Sequence, residues 1–451
     1  MEYIALILFG AILIVLLTGF PVAFVLGGMA VLVGYFQLGP EFFAFLPSRV
    51  MGVMSNYVLI AVPLFIFMGI TMQRTGIAES LLISMSRVFS RIKGGMAVSV
   101  IVVGALMAAS TGIVGATVVT MGTISLPIML RYGYKPSLAS GVVASAGTLG
   151  QIIPPSIVLV LLGSVFNISV GDLFGAAVIP GVLLVLMYLV YTVVITQFTK
   201  GAMDTNSAKL EMIKSAGEEG NRQSITLLLK TLVIPLTLIV VVLGSIFAGI
   251  ASPTEAAAIG AAGALLIGVS QGKLDWTTLK DISVETTHMT SMVFFILLGA
   301  TTFTLVFRGL NGDIFLIDFF TEGGFTPWGF LGFVMLVVFI AGFFIDFIEI
   351  IFILVPVILP ILKTYNPSDF SPVFHTMPQL LLWFALLLAL NLQTSFLTPP
   401  FGFSLFYLKG VAPPEVQTKD IYRGIVPFIL IQLALILLVM FYPQVITYVV
   451  N

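Results

Sequence analysis

The chain has 451 residues, of which 59% are hydrophobic and 9% are charged, and its mean hydropathy is +1.17. Because a soluble domain carries about 25% charged residues, this composition excludes a soluble protein and indicates an integral membrane protein. The formal net charge of −1 gives no sign of nucleic-acid binding, and the absence of cysteine excludes disulfides, thiolate metal sites and cysteine nucleophiles.

The apolar segments are predicted to be membrane helices. The first follows Glu2 instead of a basic region and shows no small-residue cleavage site, so it is predicted to be a retained helix and not a signal peptide. In chain order the segments are residues 3–18, 21–37, 58–74, a long run 96–130, an interrupted run 137–166, 176–198, 226–248, 253–270, 290–308, a long run 330–362, an interrupted run 379–408 and 424–448.

The order of these segments repeats on either side of a polar stretch at residues 200–224. Pro21 and Gly28 correspond to Pro253 and Gly260, and both pairs are 232 residues apart. The shared order and the near-constant offset predict an internal duplication.

Each long run could be one crossing or a re-entrant hairpin, and the basic residues distinguish these models because Lys and Arg collect on the cytoplasmic side. With hairpins, 16 of the 19 basic residues fall on one side, and Arg49, Arg308 and Lys363 fall on the other. With single crossings the split is 11 to 8. The hairpin model is therefore favoured. Each arm has about 16 residues and a full span needs about 20, so the hairpins are predicted to dip into the membrane.

The predicted fold is an all-α polytopic membrane protein with an inverted repeat, because five crossings and one re-entrant hairpin per half place the halves upside down relative to each other. Both termini are then periplasmic. The predicted units are the first repeat, 1–199, with hairpin 96–130 and broken helix 137–166; a cytoplasmic linker, 200–225; and the second repeat, 226–451, with hairpin 330–362 and broken helix 379–408.

Two proline pairs interrupt apolar runs, in "GTLGQIIPPSI" and "QTSFLTPPFGF". Non-helical backbone is tolerated at membrane depth only inside protein or beside a water-filled cavity. There, carbonyls and hydroxyls can bind a hard cation and half-helix N-termini can bind an anion, as in secondary transporters. Four such elements are predicted: the hairpin tips 109–117 and 343–350, and the breaks 145–156 and 393–402.

Asp346 and Glu349 are the only charged residues in the stretch 331–362 and fall near its centre. Carboxylates there cost about 2.5–3.5 kcal/mol each, so they normally face a cavity, a partner or an ion. The alternative is that one of them caps a half-helix starting near Ile350. Capping explains one carboxylate better than both, so at least one is predicted to shape the sodium or substrate site.

Three other motifs receive local interpretations. Ser252 and Glu255 have the spacing of a capping box at a helix start. Asp275 and Asp281 are predicted to be solvated in a polar cytoplasmic loop, and "GLNGD", residues 309–313, is predicted to be a turn.

Enzyme signatures are scarce in the sequence. The two histidines, His288 and His375, are distant and belong to no H-E-x-x-H motif, and no G-x-S-x-G elbow, Walker motif or G-x-G-x-x-G fingerprint follows a strand pattern. A membrane-embedded enzyme is therefore disfavoured. An ion gradient is the expected energy source, and an anionic substrate would be held by backbone N–H groups, hydroxyls and bound cations.

Four long motifs carry a family resemblance: "GYKPSLASGVVASAGTLGQIIPPSIVLVLLG" (133–163), "GIASPTEAAAIGA" (249–261), "FIDFIEIIFILVPVILPIL" (344–362) and "NLQTSFLTPPFGFSLFYLKGVAP" (391–413). By these motifs, and along essentially its whole length, the chain resembles the large membrane subunit of tripartite ATP-independent periplasmic (TRAP) transporters. The first tip departs from the family pattern, since many members are closer to G-S-S-A-A-T and this chain has "STGIVGAT".

The resemblance implies an elevator-type transporter of the bacterial inner membrane. A periplasmic binding protein would deliver a small organic anion, such as a 2-oxo acid, lactate, a dicarboxylate or a sulfonate. Sodium ions would drive transport without any further cofactor, and a separate small membrane subunit would support the scaffold. The alternative is a self-sufficient sodium–dicarboxylate symporter of the related divalent-anion family, which needs no binding protein.

The predicted ligands lie at the tips and breaks. The first sodium site is predicted to include Ser110, Thr111, Gly112, Thr117, Gly147, Thr148 and Gly150. The second is predicted to include Asp346, Glu349, Thr394, Ser395 and Thr398. The predicted substrate contacts are Ser110, Thr111, Pro154, Pro155, Ser156, Pro399, Pro400 and Gly402.

Overall fold

The computed structural model describes an all-helical protein. The described residues are 2–76, 80–82, 84–85, 89, 94–112, 114–199, 221–399 and 402–447, without the side chains of Glu2, Ser110, Thr111, residues 221–231 and Thr447. Among these residues, seven helices are long and apolar enough to cross a membrane. The prediction of an all-α polytopic membrane protein is confirmed.

Most helices coincide with predicted apolar segments, but the helices at 46–54, 312–322 and 367–370 fall between those segments. The helices are α1 Glu2–Leu16, α2 Val22–Leu38, α3 Leu46–Met54, α4 Ala61–Arg74, α5 Gly95–Thr111, α6 Val114–Arg131, α7 Pro136–Thr148, α8 Ile157–Phe166, α9 Val170–Phe198, α10 Asn221–Phe247, α11 Pro253–Ser270, α12 Trp276–Gly309, α13 Gly312–Glu322, α14 Pro327–Ala341, α15 Phe347–Leu362, α16 Pro367–Phe370, α17 Met377–Leu397, α18 Phe403–Val411, α19 Thr418–Phe441 and α20 Gln444–Thr447. Short 3-10 helices span Pro40–Phe45, Tyr57–Ile60 and Leu149–Gln151.

Both long apolar runs are divided into two helices. α5 ends where Gly112 adopts a left-handed conformation (φ 61°), which glycine tolerates without steric cost, and its N–H donates to the Ala108 carbonyl over 3.1 Å. α14 ends at Ala341, and α15 begins at Phe347 behind a capping box. Local chemistry therefore ends and restarts the helix at each tip.

Both proline pairs also coincide with breaks. Prolines lack the N–H that an α-helix needs and push the preceding residue towards extended backbone. The chain consequently leaves α7 through the 3-10 turn and restarts at α8, where Ser156 Oγ accepts the Leu159 N–H (3.5 Å) and donates to the Gln151 carbonyl (2.7 Å). At the second break, α18 restarts after Gly402.

The local interpretations of the other motifs have mixed outcomes. The Ser252–Glu255 capping box is confirmed, since the Ser252 N–H donates to Glu255 Oε2 (2.8 Å) and the Glu255 N–H donates to Ser252 Oγ (3.3 Å). The turn at 309–313 is confirmed by Asn311, whose φ is 60°. The loop assigned to Asp281 is wrong, because α12 begins at Trp276 with Asp275 as its N-cap. Exposed polar residues there face away from the protein, so helix formation did not require an apolar run.

The centre of the bundle is α17, which is buried from Leu380 to Leu397. A helix that is apolar on all sides belongs inside a bundle, and α17 packs against α7, α8, α9, α14, α18 and α19. The backbones of α7 and α19 are in close contact, because a Cβ at Gly424 would overlap the carbonyl of Ser137. Small residues permit this backbone contact. The helices on either side of the breaks are thus held at the core of the bundle.

Candidate functional site

A cavity of about 400 Å³ lies where the tips and breaks meet; we call it the central cavity. Its walls come from both tips, from the helix ends beside both breaks, and from α4 and α12. The lining residues are Ile66, Gln73, Gly112, Val114, Gly115, Ala116, Val119, Ile157, Glu285, Met289, Met292, Val293, Asp346, Phe347, Ile348, Phe396, Phe403 and Tyr407. Four elements that are far apart in the chain therefore converge on one space.

Helix N-termini dominate the walls of the central cavity. Among the described helices, four begin at lining residues: α6 at Val114, α8 at Ile157, α15 at Phe347 and α18 at Phe403. An N-terminus presents unpaired N–H groups and a partial positive charge, so it favours an anion. The carboxylates of Asp346 and Glu349 cap α15, whereas α18 begins without a side-chain cap. The cavity can therefore attract an anion without a basic side chain.

Asp346 and Glu349 both take part in capping. Asp346 Oδ1 accepts the Phe347 N–H (2.6 Å), and Glu349 Oε2 accepts the Asp346 N–H (3.2 Å). The expectation that capping accounts for only one carboxylate is wrong, since a capping box uses both at three-residue spacing. The expected start near Ile350 is also wrong, because the box places the first turn at Phe347.

Capping uses only part of the hydrogen-bond acceptor capacity of these carboxylates. Each has two oxygens that together accept about four hydrogen bonds. Asp346 also lines the central cavity, and among the described residues neither carboxylate has a Lys or Arg at ion-pair distance. Asp346 thus keeps acceptor capacity and negative charge towards the cavity, which suits a cation.

Most predicted ligands do not line the central cavity. Gly112 and Asp346 line the central cavity. The described predicted ligands that do not line it are Thr117, Gly147, Thr148, Gly150, Pro154, Pro155, Ser156, Glu349, Thr394, Ser395, Thr398, Pro399 and Gly402. The side chains of Ser110 and Thr111, and the whole of Pro400, lie outside the described residues.

The hydroxyls at the breaks bond back to their own helices. The donor–acceptor pairs are Thr148 Oγ1 to Ser145 O (2.9 Å), Thr394 Oγ1 to Leu390 O (2.8 Å), Ser395 Oγ to Leu392 O (2.8 Å) and Thr398 Oγ1 to Thr394 O (2.8 Å). Such bonds are common for Ser and Thr in helices. Each hydroxyl oxygen keeps lone pairs for a further partner.

One predicted ligand has an evident packing role. A Cβ at Gly147 would overlap the side chain of Val118, so this glycine lets α7 approach α6. Gly147 therefore shapes the region by allowing close contact between helices, whatever its backbone carbonyl binds.

Sequence reasoning missed several polar residues at the site. Gln73 lines the central cavity and donates from Nε2 to Thr120 Oγ1 (3.1 Å), and Glu285 lines it while pairing with Arg74 (2.7 Å). Both belong to helices without breaks, so no local signal marks them. Tyr407 lies four residues after Phe403 inside a quoted family motif, which could have identified it.

Two buried glutamines at the breaks were also missed. Gln151 and Gln393 are fully buried, and none of their side-chain amide atoms has a hydrogen-bond partner within the described part of the chain. A buried unpaired amide costs about 1–3 kcal/mol, so such groups favour a bound water or cation nearby.

Comparison with known proteins identifies the family. The family model for the "Tripartite ATP-independent periplasmic transporter, DctM component" matches residues 9–445. The C4-dicarboxylate TRAP transporter large permease protein DctM of Pseudomonas aeruginosa is 30% identical over 392 residues, covering 87% of this chain and 86% of that protein. The isethionate TRAP transporter permease protein DctMQ of Oleidesulfovibrio alaskensis is 28% identical over 440 residues, covering 97% of this chain and 65% of that protein.

A solved structure supports the fold. The YdaH transporter of Alcanivorax borkumensis has a TM-score of 0.61 with 14% identity, and the match covers 98% of each chain. At this identity the likeness concerns the fold alone. The family match over nearly the whole length shows that this chain belongs to the DctM family of TRAP transporter large permease subunits and is a transporter permease, not an enzyme.

Proposed function

We propose that the chain performs sodium-coupled uptake of a small organic anion delivered by a periplasmic binding protein. The observation that carries this proposal is the meeting of four helix N-termini with Asp346 in the central cavity. The N-termini favour an anion and the carboxylate favours a cation. A space that suits both charges accounts for coupling, because each ion lowers the electrostatic cost of binding the other.

The solute class follows from the size and charge of the site. A cavity of about 400 Å³ lies within the usual range for small-molecule sites. The names of the relatives mention C4-dicarboxylates and isethionate, which are a carboxylate class and a sulfonate. We therefore favour a small carboxylate or sulfonate, held by the N-termini of α8 and α18 and by the backbone around the two proline pairs.

Sodium would bind at the tips and breaks, next to the anion. Oxygens of Thr394, Ser395, Thr398, Asp346 and Glu349 form the proposed second site. The proposed first site uses hydroxyl and carbonyl oxygens of Ser110, Thr111, Gly112, Thr117, Gly147, Thr148 and Gly150. The buried amides of Gln151 and Gln393 favour a bound cation beside each break, because their side-chain oxygen atoms could coordinate it.

Uptake should require both sodium and a partner protein. We expect proteoliposomes containing this chain, its small membrane subunit and the binding protein to accumulate at least one of succinate, pyruvate, lactate or isethionate. Replacing sodium by choline should lower the initial rate at least about tenfold, because the anion site would lose its counter-charge. Omitting the binding protein should have a similar effect.

Two outcomes would contradict parts of this proposal. Equal uptake in choline would refute sodium coupling. Full uptake without the binding protein would favour the self-sufficient symporter and remove the receptor from the mechanism.

We further propose that the halves form an inverted repeat in the bacterial inner membrane, with both termini periplasmic and an elevator-like transport domain built from the tips and broken helices. The unequal distribution of basic residues supports this topology. The native chain has no cysteine, so single cysteines report sidedness directly. Both Lys135 and Lys363 are exposed beside helix ends.

A cysteine replacing Lys135 should react with a membrane-impermeant maleimide only from the cytoplasm, and one replacing Lys363 only from the periplasm. Intact spheroplasts and inside-out vesicles give the two measurements. If both positions react from the same side, the inverted topology is wrong.

A further inference from the structure

A second cavity, of about 450 Å³, lies beside the central cavity; we call it the arginine cavity. The side chains that matter here are Arg49, Asn56, Ser164, Thr304 and Arg308. Two of the three basic residues that the charge analysis places on the periplasmic side therefore line one space. No acidic residue lines it within the described ranges.

Within the part of the chain that the structure describes, the guanidinium groups of Arg49 and Arg308 keep free hydrogen-bond donors. Among the described residues Arg49 has no ion pair, and Arg308 Nε lies 3.9 Å from Asp313 Oδ2, which is too long for a hydrogen bond. An arginine carries five N–H donors and remains charged at any physiological pH. Asp313 therefore offsets only part of the positive charge, and the cavity is electropositive.

The arginine cavity lies on the same helix surfaces as the central cavity. α12 lines the central cavity with Val293 and the arginine cavity with Leu297 and Arg308. α8 contributes Ile157 to the first and Ser164 to the second, seven residues or about 10 Å further along the helix. The two cavities therefore follow each other along a seam between α12 and α8.

We propose that the arginine cavity is a binding site for a carboxylate or sulfonate, held by Arg49 and Arg308 before it reaches the central cavity. Planar guanidinium groups match the oxygens of these anions in a two-point geometry. Neutral polar groups line the cavity around the two arginines. They belong to Thr304 and to Asn56, whose Nδ2 donates to Ser164 Oγ (3.0 Å). The proposal rests on the proposed function only in identifying this anion with the transported solute.

The electrostatic part can be tested without transport. Gly52 lines the arginine cavity, and a Cβ there would have no neighbour within 4 Å, so Gly52→Cys offers a reporter in the cysteine-free chain. Its labelling rates with an anionic sulfonatoethyl and a cationic trimethylammonioethyl methanethiosulfonate are compared. Arg49→Gln or Arg308→Gln should each lower the anion-to-cation rate ratio severalfold, because loss of a nearby positive charge slows the anionic reagent and speeds the cationic one. Lys363→Gln, a basic residue outside the cavity, is the matched control and should leave the ratio unchanged.

Binding is tested by protection of the same cysteine. Methanesulfonate should slow its labelling by uncharged methyl methanethiosulfonate, and dimethyl sulfone, a neutral molecule of similar size, should not. Protection should be lost in Arg308→Gln and weakened at least about threefold in Arg308→Lys, which keeps the charge but not the two-point geometry. Gel filtration of each variant checks that it is folded.

Four results would overturn the proposal: an unchanged rate ratio, equal protection by both small molecules, protection that survives Arg308→Gln, or a ratio that falls without any protection. The last result would mean that the arginines change the local charge without binding an anion. Since labelling needs neither sodium nor the binding protein, its outcome is independent of whether uptake proves sodium-coupled.

Discussion

Asp346→Asn is expected to abolish sodium-driven uptake, or to lower it more than about tenfold at a given sodium concentration, while the protein stays folded. Asparagine caps helices as well as aspartate does, so the start of α15 should survive. What disappears is the negative charge that Asp346 presents to the central cavity. If the charge holds a sodium ion, the sodium concentration for half-maximal uptake must rise.

Glu349→Gln is the matched variant at the same helix start. Glutamine at this position also completes a capping box, so the bond to the Asp346 N–H is retained in both variants. The measurements are uptake as a function of sodium concentration and the melting temperature of the purified protein. At least one variant should lose uptake or need a higher sodium concentration for half-maximal uptake, while its melting temperature stays nearly native.

Normal transport with unchanged sodium dependence in both variants would leave helix capping as the only role of these carboxylates. Loss of transport together with a large fall in melting temperature would mean that the charge is needed for folding, and would also remove the assignment to the sodium site.

Gly342→Ala is expected to reduce uptake more than about tenfold and to destabilise the protein by about 1–3 kcal/mol, the usual cost of overpacking. Gly342 ends α14 at the second tip, and a Cβ there would overlap the side chain of Ser395 on α17. Because the overlap involves Cβ of Ser395 as well as Oγ, rotation of the hydroxyl cannot relieve it. The tip must move away from the second break, and Asp346 moves with it.

Gly332→Ala on the same helix is the control, since a Cβ at Gly332 meets nothing within 4 Å and alanine favours helix by about 1 kcal/mol. A second variant combines Gly342→Ala with Ser395→Gly, which removes the overlapping atoms. Its melting temperature should recover, whereas its sodium dependence should stay impaired if Ser395 is a ligand. Equal behaviour of Gly342→Ala and Gly332→Ala would show that this contact does not position the tip.

Much of the fold was predictable because the signals are local. Proline pairs remove N–H donors wherever they occur, so both breaks could be placed from the sequence. Ser252 and Glu255 form a capping box through bonds that span three residues, so their spacing alone predicts it. Apolar runs gave nearly all helix positions for the same reason. They failed for α3, α13 and α16, which lie between the predicted segments, and for the first turns of α12, whose polar surface is helical without being apolar.

The candidate site was predictable only in part. Sequence alone selected the four elements and two cavity-lining residues, Gly112 and Asp346. It could not show that Gln73 and Glu285 complete the wall, or that Gly342 contacts Ser395 across the helices. The convergence of Arg49 with Arg308 likewise joins residues that are distant in the chain. Capping, breaking and membrane insertion depend on a few neighbouring residues, whereas the neighbours of a helix in a bundle depend on packing between distant segments. The tertiary structure alone decides these contacts.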